Sequence, residues 1–346
     1  MNRRSLALWA AALASSMVSA AHAQQRHALS AARTFTRPTN WTQDAARWST
    51  LRFSSDGTTL TVRHPQNDGA TRVLEYNLNT GTTIADRAER VEMSSPDGRI
   101  RVRFTPTANN AQCRVDRVER QSGATRSLGI LLEPCADSQR RPAPSFSDDG
   151  SRVLVVGPMT GSPQSSVLTV IDTTSAAVIA RSSYEMTVGG GADPIAELTP
   201  RGDAIVWSHN RSGVELVRLG RDAVVFRAES SGALSPDLRW NVELPHCPFA
   251  RDDCSSRAVL RAVAGRTRIQ LAQGAPDSPS SATFSDDGSK LALFVGQRLS
   301  VWSVRAQGAR KLAEVAATAV FGARFSPDGR SLAVVTAQGV VVYAGF

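Results

Sequence analysis

The stretch Phe325-Ser326-Pro327-Asp328-Gly329, close to the C-terminus, is the clearest copy of a phrase that recurs along the chain. Its apolar residue ends a strand and its Ser leaves the sheet. Asp and Gly then form a tight bend, because Asp hydrogen-bonds to nearby backbone and Gly accepts a positive φ. A second apolar run, Leu332-Ala333-Val334-Val335, follows at once. The stretch therefore predicts a hairpin that begins a small antiparallel sheet.

Six further copies of this phrase precede it. Three are intact and three are weaker, with Arg201 in place of Asp in one copy and Leu238 in place of Gly in another. The six are Phe53-Ser54-Ser55-Asp56-Gly57, Met93-Ser94-Ser95-Pro96-Asp97-Gly98, Phe146-Ser147-Asp148-Asp149-Gly150, Leu198-Thr199-Pro200-Arg201-Gly202, Leu234-Ser235-Pro236-Asp237-Leu238 and Phe284-Ser285-Asp286-Asp287-Gly288.

The spacing of the copies indicates the architecture. The glycine-equivalent positions 57, 98, 150, 202, 238, 288 and 329 are separated by 41, 52, 52, 36, 50 and 41 residues. A period of about 45 residues with four short strands per unit is typical of a β-propeller. The predicted fold is therefore all-β: a seven-bladed β-propeller of four-stranded antiparallel blades.

With these copies the chain resembles the WD-repeat and TolB-type propeller family, in which an apolar-Ser-Pro-Asp-Gly phrase begins each blade. The resemblance covers nearly all of the chain that follows the first residues. It implies the fold, and it is unspecific for function because propellers serve many functions. TolB itself carries an additional N-terminal α/β domain. Here only about twenty-five residues precede the first blade, so the resemblance is to the propeller without that domain.

The first residues predict export. Arg3 and Arg4 precede a short apolar core, Leu6 to Leu13, and Ala21-His22-Ala23 is a small-x-small cleavage site. Residues 1–23 are therefore interpreted as a signal peptide, and residues 24–346 as a single propeller domain in the bacterial periplasm or outside the cell. The core is too short to span a bilayer, so no membrane span is expected. The arginine pair also fits the twin-arginine route in part, which stays open as an alternative.

The two ends of the chain are expected to meet. Blades run from about residue 48 to residue 346, and the last unit offers only three strands, at Gly322 to Phe325, Ser331 to Thr336 and Val340 to Tyr343. The N-terminal segment, residues 24–43, contains the alternating run Arg33-Thr34-Phe35-Thr36. A ring leaves no open edge if a terminal strand completes the last blade. We therefore predict that residues near 32–37 supply the closing strand.

Four cysteines suit an oxidising compartment. Cys113 and Cys135 lie symmetrically about a turn near residue 124, and Cys247 and Cys254 lie about a turn near residue 250. Residues facing each other across antiparallel strands are close enough for a disulfide. This predicts the bonds Cys113–Cys135 and Cys247–Cys254. Zinc is the alternative, and His246 beside Cys247 is its only support, since no close C-x-x-C pair is present.

The net charge is +9, or +7 without Arg3 and Arg4, and the only lysines are Lys290 and Lys311. The arginines are scattered, with no basic run of five or six residues. An envelope protein is the expected partner, and an anionic envelope polymer is a further one. Nucleic acid is not expected as a partner of an exported protein.

Several short motifs are candidates for catalysis or ligand binding. Gly189-Gly190-Gly191 has neither the strand-to-helix context nor the Lys of a phosphate loop, which favours a connector. His209 ends a strand without a G-x-S-x-G nucleophile elbow anywhere in the chain, so a hairpin tip is favoured over a general base. The pairs Asp148-Asp149 and Asp286-Asp287 are turn residues, since the alternating ligands of a calcium loop are missing.

Asp252-Asp253, beside Cys254, is the acidic pair outside the repeated phrase and is a candidate partner-binding loop. No catalytic residue, metal ligand or cofactor is assigned, and a non-catalytic scaffold for protein–protein interaction is the favoured function. The alternative is a propeller enzyme or a small-ligand sensor with a site at the central channel. Polar side chains clustered at one channel mouth would favour this alternative, and an apolar or plugged channel would favour the scaffold.

Overall fold

The protein is a ring of seven antiparallel sheets, and in the described part of the chain there is no helix. The computed structural model describes residues 27–36, 50–65, 70–90, 93–95, 99–106, 113–119, 121–132, 145–147, 149–159, 162–185, 195–199, 202–209, 213–219, 223–228, 232–245, 254–275 and 279–346. Each sheet is one blade, whose first strand is innermost. The predicted all-β, seven-bladed propeller is confirmed.

The first four blades each contain four strands in simple sequential order. Blade one is β3 (Thr50–Phe53), β4 (Thr59–Pro65), β5 (Ala70–Asn77) and β6 (Thr83–Arg90), and blade two is β7 (Met93–Ser94), β8 (Ile100–Pro106), β9 (Cys113–Glu119) and β10 (Thr125–Leu132). Blade three is β11 (Ser145–Phe146), β12 (Arg152–Met159), β13 (Ser162–Asp172) and β14 (Val178–Glu185), and blade four is β15 (Ile195–Leu198), β16 (Ala204–His209), β17 (Gly213–Arg218) and β18 (Ala223–Ala228).

The last three blades depart from this plan in different ways. Blade five is β19 (Trp240–Glu243), β20 (Arg257–Ala262) and β21 (Arg268–Gln273), and blade six is β22 (Ser280–Phe284), β23 (Lys290–Val295), β24 (Arg298–Arg305) and β25 (Gly308–Ala316). Blade seven is β26 (Gly322–Phe325), β27 (Ser331–Thr336) and β28 (Gly339–Ala344), joined by the N-terminal strand β2 (Ser30–Thr36). In blade five the innermost strand is reduced to one bridge, Leu234 to Asn241.

The N-terminal segment closes the ring, as predicted. Strand β2 pairs antiparallel with β28, with Thr34 opposite Val341 and Phe35 opposite Val340. The strand begins two residues before the predicted position. A feature that the sequence did not suggest precedes it: β1 (His27–Ala28) pairs in parallel with β25 on the outer edge of blade six. The segment therefore crosses from blade six to blade seven, with Leu29 buried between them.

The repeated phrase forms the predicted turn in every blade in which it is described. In five blades the Ser hydroxyl donates to the Asp carboxylate two residues on, at 2.5 to 2.7 Å. The same Oγ accepts the backbone N–H five residues on, as Ser326 does from Ser331 at 2.9 Å. The Ser326 hydroxyl, followed by the Arg330 N–H, holds the pKa of Asp328 below its ordinary value. The Ser and the Asp side chains thus provide hydrogen-bond partners for the backbone N–H groups of the turn.

The two degenerate copies keep this turn by other means. In blade four, where Arg201 replaces the Asp, Thr199 Oγ1 donates instead to Asp203 at 2.8 Å. In blade five Leu238 adopts a φ of 57°, close to the 66° to 70° of the glycines at the same place. An L-residue in this conformation costs roughly 1–2 kcal/mol, so the fold maintains this turn against a local penalty.

The core lies between the blades. Among the described residues, six clusters of buried apolar side chains each join two neighbouring blades. Each is built mainly from the middle strands. The fully buried residues include Leu60, Leu154, Leu168, Leu216, Leu260 and Leu291. At the closure, Phe35 of β2 stacks on Tyr76 of blade one with ring centroids 4.2 Å apart.

Candidate functional site: the charged central channel

One position recurs in the same register on the innermost strands that the structure describes, at the inner edge of the ring. It is the residue before the turn phrase, paired with the third residue of the next strand, as Arg324 pairs with Ala333 and Glu197 with Val206. The described side chains at this position are Arg52, Ser145, Glu197, Ala233, Thr283 and Arg324. The described residues at this inner-edge position are therefore mostly polar and include two guanidinium groups and one carboxylate.

Glu197 is the distinctive member of this set. Its side chain is accessible to water, yet burial within the ring raises its pKa, and the charge of Arg324 partly offsets that shift. The two facts agree if the carboxylate projects into a narrow, water-filled channel. Blades four and seven stand on opposite sides of the ring, so the two charges interact across the channel. The Glu197 carboxylate makes no hydrogen bond to any residue in the described ranges.

The cations of the channel, in contrast, are held in place. Arg324 NH2 forms an ion pair with Asp286 of blade six at 2.8 Å. Arg52 NH1 donates to the Ser95 carbonyl of blade two at 2.9 Å. These contacts cross blade boundaries, so they fix the guanidinium groups at the channel and link neighbouring blades. The arrangement can receive a cation or a hydrogen-bond donor at Glu197.

The raised pKa of Glu197 predicts that its carboxylate lowers the free energy of unfolding at high pH. A folded-state pKa above the ordinary value of about 4.3 means that ionisation of Glu197 opposes folding, and the penalty appears as pH rises through the folded pKa. Glu197→Gln should therefore raise the melting temperature relative to wild type by about 1–3 °C at pH 8, with a smaller difference near pH 4. Differential scanning fluorimetry at both pH values measures this.

Glu119→Gln is the matched control for that experiment. Hydrogen bonds from Arg117 and then Ser122 lower the pKa of Glu119, so its ionised form favours folding. Glu119→Gln should therefore lower the melting temperature, and lower it more at pH 8 than near pH 4. The change in melting temperature at pH 8 has the opposite sign to that expected for Glu197→Gln. An equal effect of Glu197→Gln at both pH values would rule out the enclosed channel carboxylate.

The predicted site residues lie mostly outside the described ranges. Cys135, Cys247, the Asp252-Asp253 pair and Gly189 to Gly191 are not described, and neither is His246. Cys254 is disulfide-bonded, and its partner lies outside the described residues. Cys113 lies opposite Leu132 in the sheet, three residues before Cys135, so a bond between these cysteines needs the chain to turn back after Leu132. Both disulfide pairings stay predictions.

Other candidates have defined places. His209 ends β16 opposite Gly213, which agrees with a hairpin tip. In the turns, Asp149 and Asp287 accept the predicted bonds from Ser147 and Ser285. Asp286 does more than the sequence suggested, because it binds Arg324 of the next blade. The described residues contain no group of three or more His, Cys, Asp or Glu side chains able to hold a metal ion.

Glu197, Arg324 and Arg52 were not singled out from the sequence. The signal that could have found them is their shared place directly before the buried residue of the phrase, on the innermost strand of each blade. These residues can be recognised as a group only when the seven copies are aligned on one another, because each copy contributes one residue to the inner edge of the ring.

The comparisons with known proteins agree on the fold. No family model and no curated protein matches the sequence. Among solved structures, a chain of the mitotic checkpoint complex is 15% identical, with a TM-score of 0.60 and 94% of each chain covered. Hydrazine synthase from Kuenenia stuttgartiensis is 15% identical, with a TM-score of 0.54 and coverage of 90% of this chain and 99% of that one.

The C-terminal WD40 domain of Sif2 is 12% identical, with a TM-score of 0.52 and coverage of 86% of this chain and 81% of that one. At these identities the similarity shows the fold alone, a WD40-type β-propeller. Over the described residues, no helix is long and apolar enough to cross a membrane.

Proposed function

We propose that this chain is an exported, periplasmic propeller related to the TolB type, which acts as a non-catalytic scaffold for another envelope protein. WD40-type propellers commonly mediate protein–protein interaction, which supports this role at the level of the fold. The signal-peptide pattern at residues 1–23 supports export. N-terminal sequencing of the protein recovered from the cell envelope tests it, since cleavage after Ala23 leaves Gln24 as the first residue.

The observation that carries the scaffold proposal is a contrast between the two faces of the ring. Successive strands alternate in direction, so first-to-second and third-to-fourth connections share one face, here called the turn face. Second-to-third connections and those between blades share the other, the loop face. All seven first-to-second connections have five residues, such as 54–58 and 326–330. Second-to-third connections vary from two residues (296–297) to thirteen (244–256).

The turn face holds the ring together. Lys290 of blade six donates to the Gly329 carbonyl in the turn of blade seven at 2.8 Å, and Arg152 does the same to Gly202 at 2.6 Å. Arg33 of β2 donates to the Asn79 carbonyl of blade one at 2.8 Å. These cross-blade bonds make the ring a rigid frame. A rigid frame that carries loops of variable length is a common way to build a recognition surface.

The partner is proposed to bind the loop face, with the blade-five connection at residues 244–256 as its main contact. This is the longest second-to-third connection, and it contains the Asp252-Asp253 pair and both Cys247 and Cys254. A disulfide within it would lower the entropy lost when a partner orders the loop. The acidic pair would then supply the charge complementarity to a basic patch on the partner.

The test compares the two faces with the same substitution. Gln297→Arg and Gln338→Arg place a bulky cation at exposed hairpin tips of the loop face. Gln121→Arg and Gln307→Arg do the same on the turn face. Tagged wild type, each Gln→Arg pair and an Asp252→Ala/Asp253→Ala variant would be crosslinked in intact cells, captured and identified by mass spectrometry.

The expected result is one abundant envelope protein that is recovered with wild type and with the turn-face pair. Its recovery should fall at least about fivefold with the loop-face pair and with the acidic-pair variant. Loss through the turn-face pair alone would contradict the proposed face. Recovery of the propeller without any reproducible partner would contradict the scaffold itself.

A second candidate function, a small-ligand site or an enzyme site in the channel, is favoured by one observation. The Glu197 carboxylate has no hydrogen-bond partner in the described ranges, and most of the described residues at the same inner-edge position are polar. A cationic ligand would be the chemistry that suits it. Metabolite screening of wild type against Glu197→Gln separates this function from the scaffold, since a scaffold partner on the loop face should not depend on Glu197.

A further inference from the structure

A cleft lies at the outer rim of the ring, where the closing strand meets blade one. It has a volume of about 390 Å³, within the range of roughly 300–1,000 Å³ usual for small-ligand sites. Its walls come from the closing strand and from blade one. Thr34, Phe35 and Thr36 belong to β2, and the blade-one residues are Arg72, Leu74, Tyr76, Gly81, Thr83 and Asp86. The cleft exists only in the closed ring.

The Tyr76 phenol is the unexplained group in this cleft. The residue is only 4% exposed, and its ring is fixed by stacking on Phe35. Its hydroxyl nevertheless makes no hydrogen bond to a residue within the described ranges. A mostly buried tyrosine usually has a protein partner for its hydroxyl, and Tyr76 instead lines the open cleft. Burial raises its pKa to about 12, with a smaller contribution from Asp86, so the hydroxyl is a donor at neutral pH.

The charges of the cleft neutralise each other. Arg72 donates from Nε and NH2 to the two carboxylate oxygens of Asp86, at 2.6 and 2.5 Å. This leaves no net charge to attract an ion. The other polar groups on the walls are hydroxyls, from Thr34, Thr36, Thr83 and Tyr76. Hydroxyl groups both donate and accept, so together with a planar carboxylate–guanidinium pair they match a ligand that is itself rich in hydroxyls.

We propose that this cleft binds a neutral saccharide, with the Tyr76 hydroxyl donating to one sugar oxygen and the Thr83 hydroxyl contacting a second. This site is separate from the proposed partner surface on the loop face and from the channel. A small, open cleft with few hydrogen bonds gives weak binding, with a dissociation constant on the order of 1 mM. Binding should also raise the melting temperature, because the sugar bridges β2 and blade one only when the ring is closed.

Calorimetric titration of the full mature chain tests the proposal. The neutral probes are glucose, N-acetylglucosamine and cellobiose, and the charged comparators are glucuronate and glucosamine. At least one neutral probe should bind. Tyr76→Phe keeps the ring and its stacking on Phe35 but removes the donor, and it should weaken binding about tenfold. Thr83→Val keeps the branched shape of an exposed residue and should weaken binding about threefold to tenfold.

Tyr343→Phe is the matched control. Tyr343 lies opposite Leu332, the first apolar residue of β27, just as Tyr76 lies opposite Leu60, the first apolar residue of β4. It is also buried, but it lies outside the cleft, so its loss should leave sugar binding unchanged. Three results would each overturn the proposal: no neutral probe binds, glucuronate or glucosamine alone binds, or Tyr76→Phe and Thr83→Val bind as wild type does.

Discussion

Deletion of residues 24–40 is expected to lower the melting temperature by at least about 10 °C, because it removes the strand that closes the ring. The lost segment includes β2, with Phe35 6% exposed in the core shared by blades seven and one, and Leu29, 6% exposed between blades six and seven. Truncation of one buried Phe costs about 3–5 kcal/mol, and the loss of Leu29 adds to it. Thermal unfolding followed by circular dichroism measures the effect.

The deletion should also change the state of association. Without β2, the edge of β28 loses its partner, and Val340 to Val342 lose the strand that covers them. An open apolar edge strand favours pairing between molecules. Size-exclusion chromatography should therefore show oligomers or aggregates. A synthetic peptide with residues 27–36, added to the truncated protein, should restore part of the lost stability.

Single substitutions within β2 distinguish the loss of one buried side chain from the removal of the whole strand. Phe35→Ala should lower stability by about 3–5 kcal/mol, since it empties the contact with Tyr76. Thr34→Ala, on the exposed neighbouring residue, should change it by less than about 0.5 kcal/mol. If the deletion left the melting temperature unchanged, ring closure by the N-terminal strand would be wrong.

Gly232→Ala is the second substitution with a large expected effect. A Cβ at this position would lie 1.2 Å from the Val242 carbonyl oxygen and 2.4 Å from its carbonyl carbon. Both atoms belong to the backbone of β19, so a side chain cannot move aside to make room. The Val242 N–H donates a hydrogen bond to the Ala233 carbonyl oxygen, with 2.9 Å between N and O. The added methyl must push the Gly232–Ala233 segment away from β19 and so break this bond. We expect a loss of more than about 3 kcal/mol.

Gly57→Ala is the control for Gly232→Ala. Gly57 has a φ of 70°, and a Cβ there would meet no atom within 4 Å. Its substitution therefore measures backbone strain alone, about 1–2 kcal/mol. Urea unfolding of both variants gives the comparison. An effect of Gly232→Ala no larger than that of Gly57→Ala would mean that the inner edge of blade five is not packed as described.

The turn phrases were predictable because their chemistry is local. The Ser, Asp and Gly of each phrase form hydrogen bonds within a stretch of six residues. The same residue types therefore form the same turn in any blade. This allowed the seven blades, the strands of blade seven and the closing strand to be predicted from residue types and spacing. Leu238 was recognised as a departure for the same reason, and the structure shows the positive φ that follows from it.

The site was less predictable, because its members meet only when the ring forms. Glu197 and Arg324 are separated by three blades of sequence and interact across the channel. The Asp286 carboxylate was interpreted as a turn residue, which it is, but its ion pair with Arg324 depends on how blades six and seven dock. A local sequence pattern does not indicate contacts between residues of different blades.

The sequence by itself thus determined the blade count, the turns and the meeting of the chain ends, since each depends on short-range bonding or on a repeated period. The tertiary structure alone decided what those elements enclose. The parallel contact of β1 with blade six, the steric limit at Gly232 and the cleft around the Tyr76 hydroxyl all arise between segments distant in sequence. Their physical cause is the packing of neighbouring blades, which fixes distances that no single blade contains.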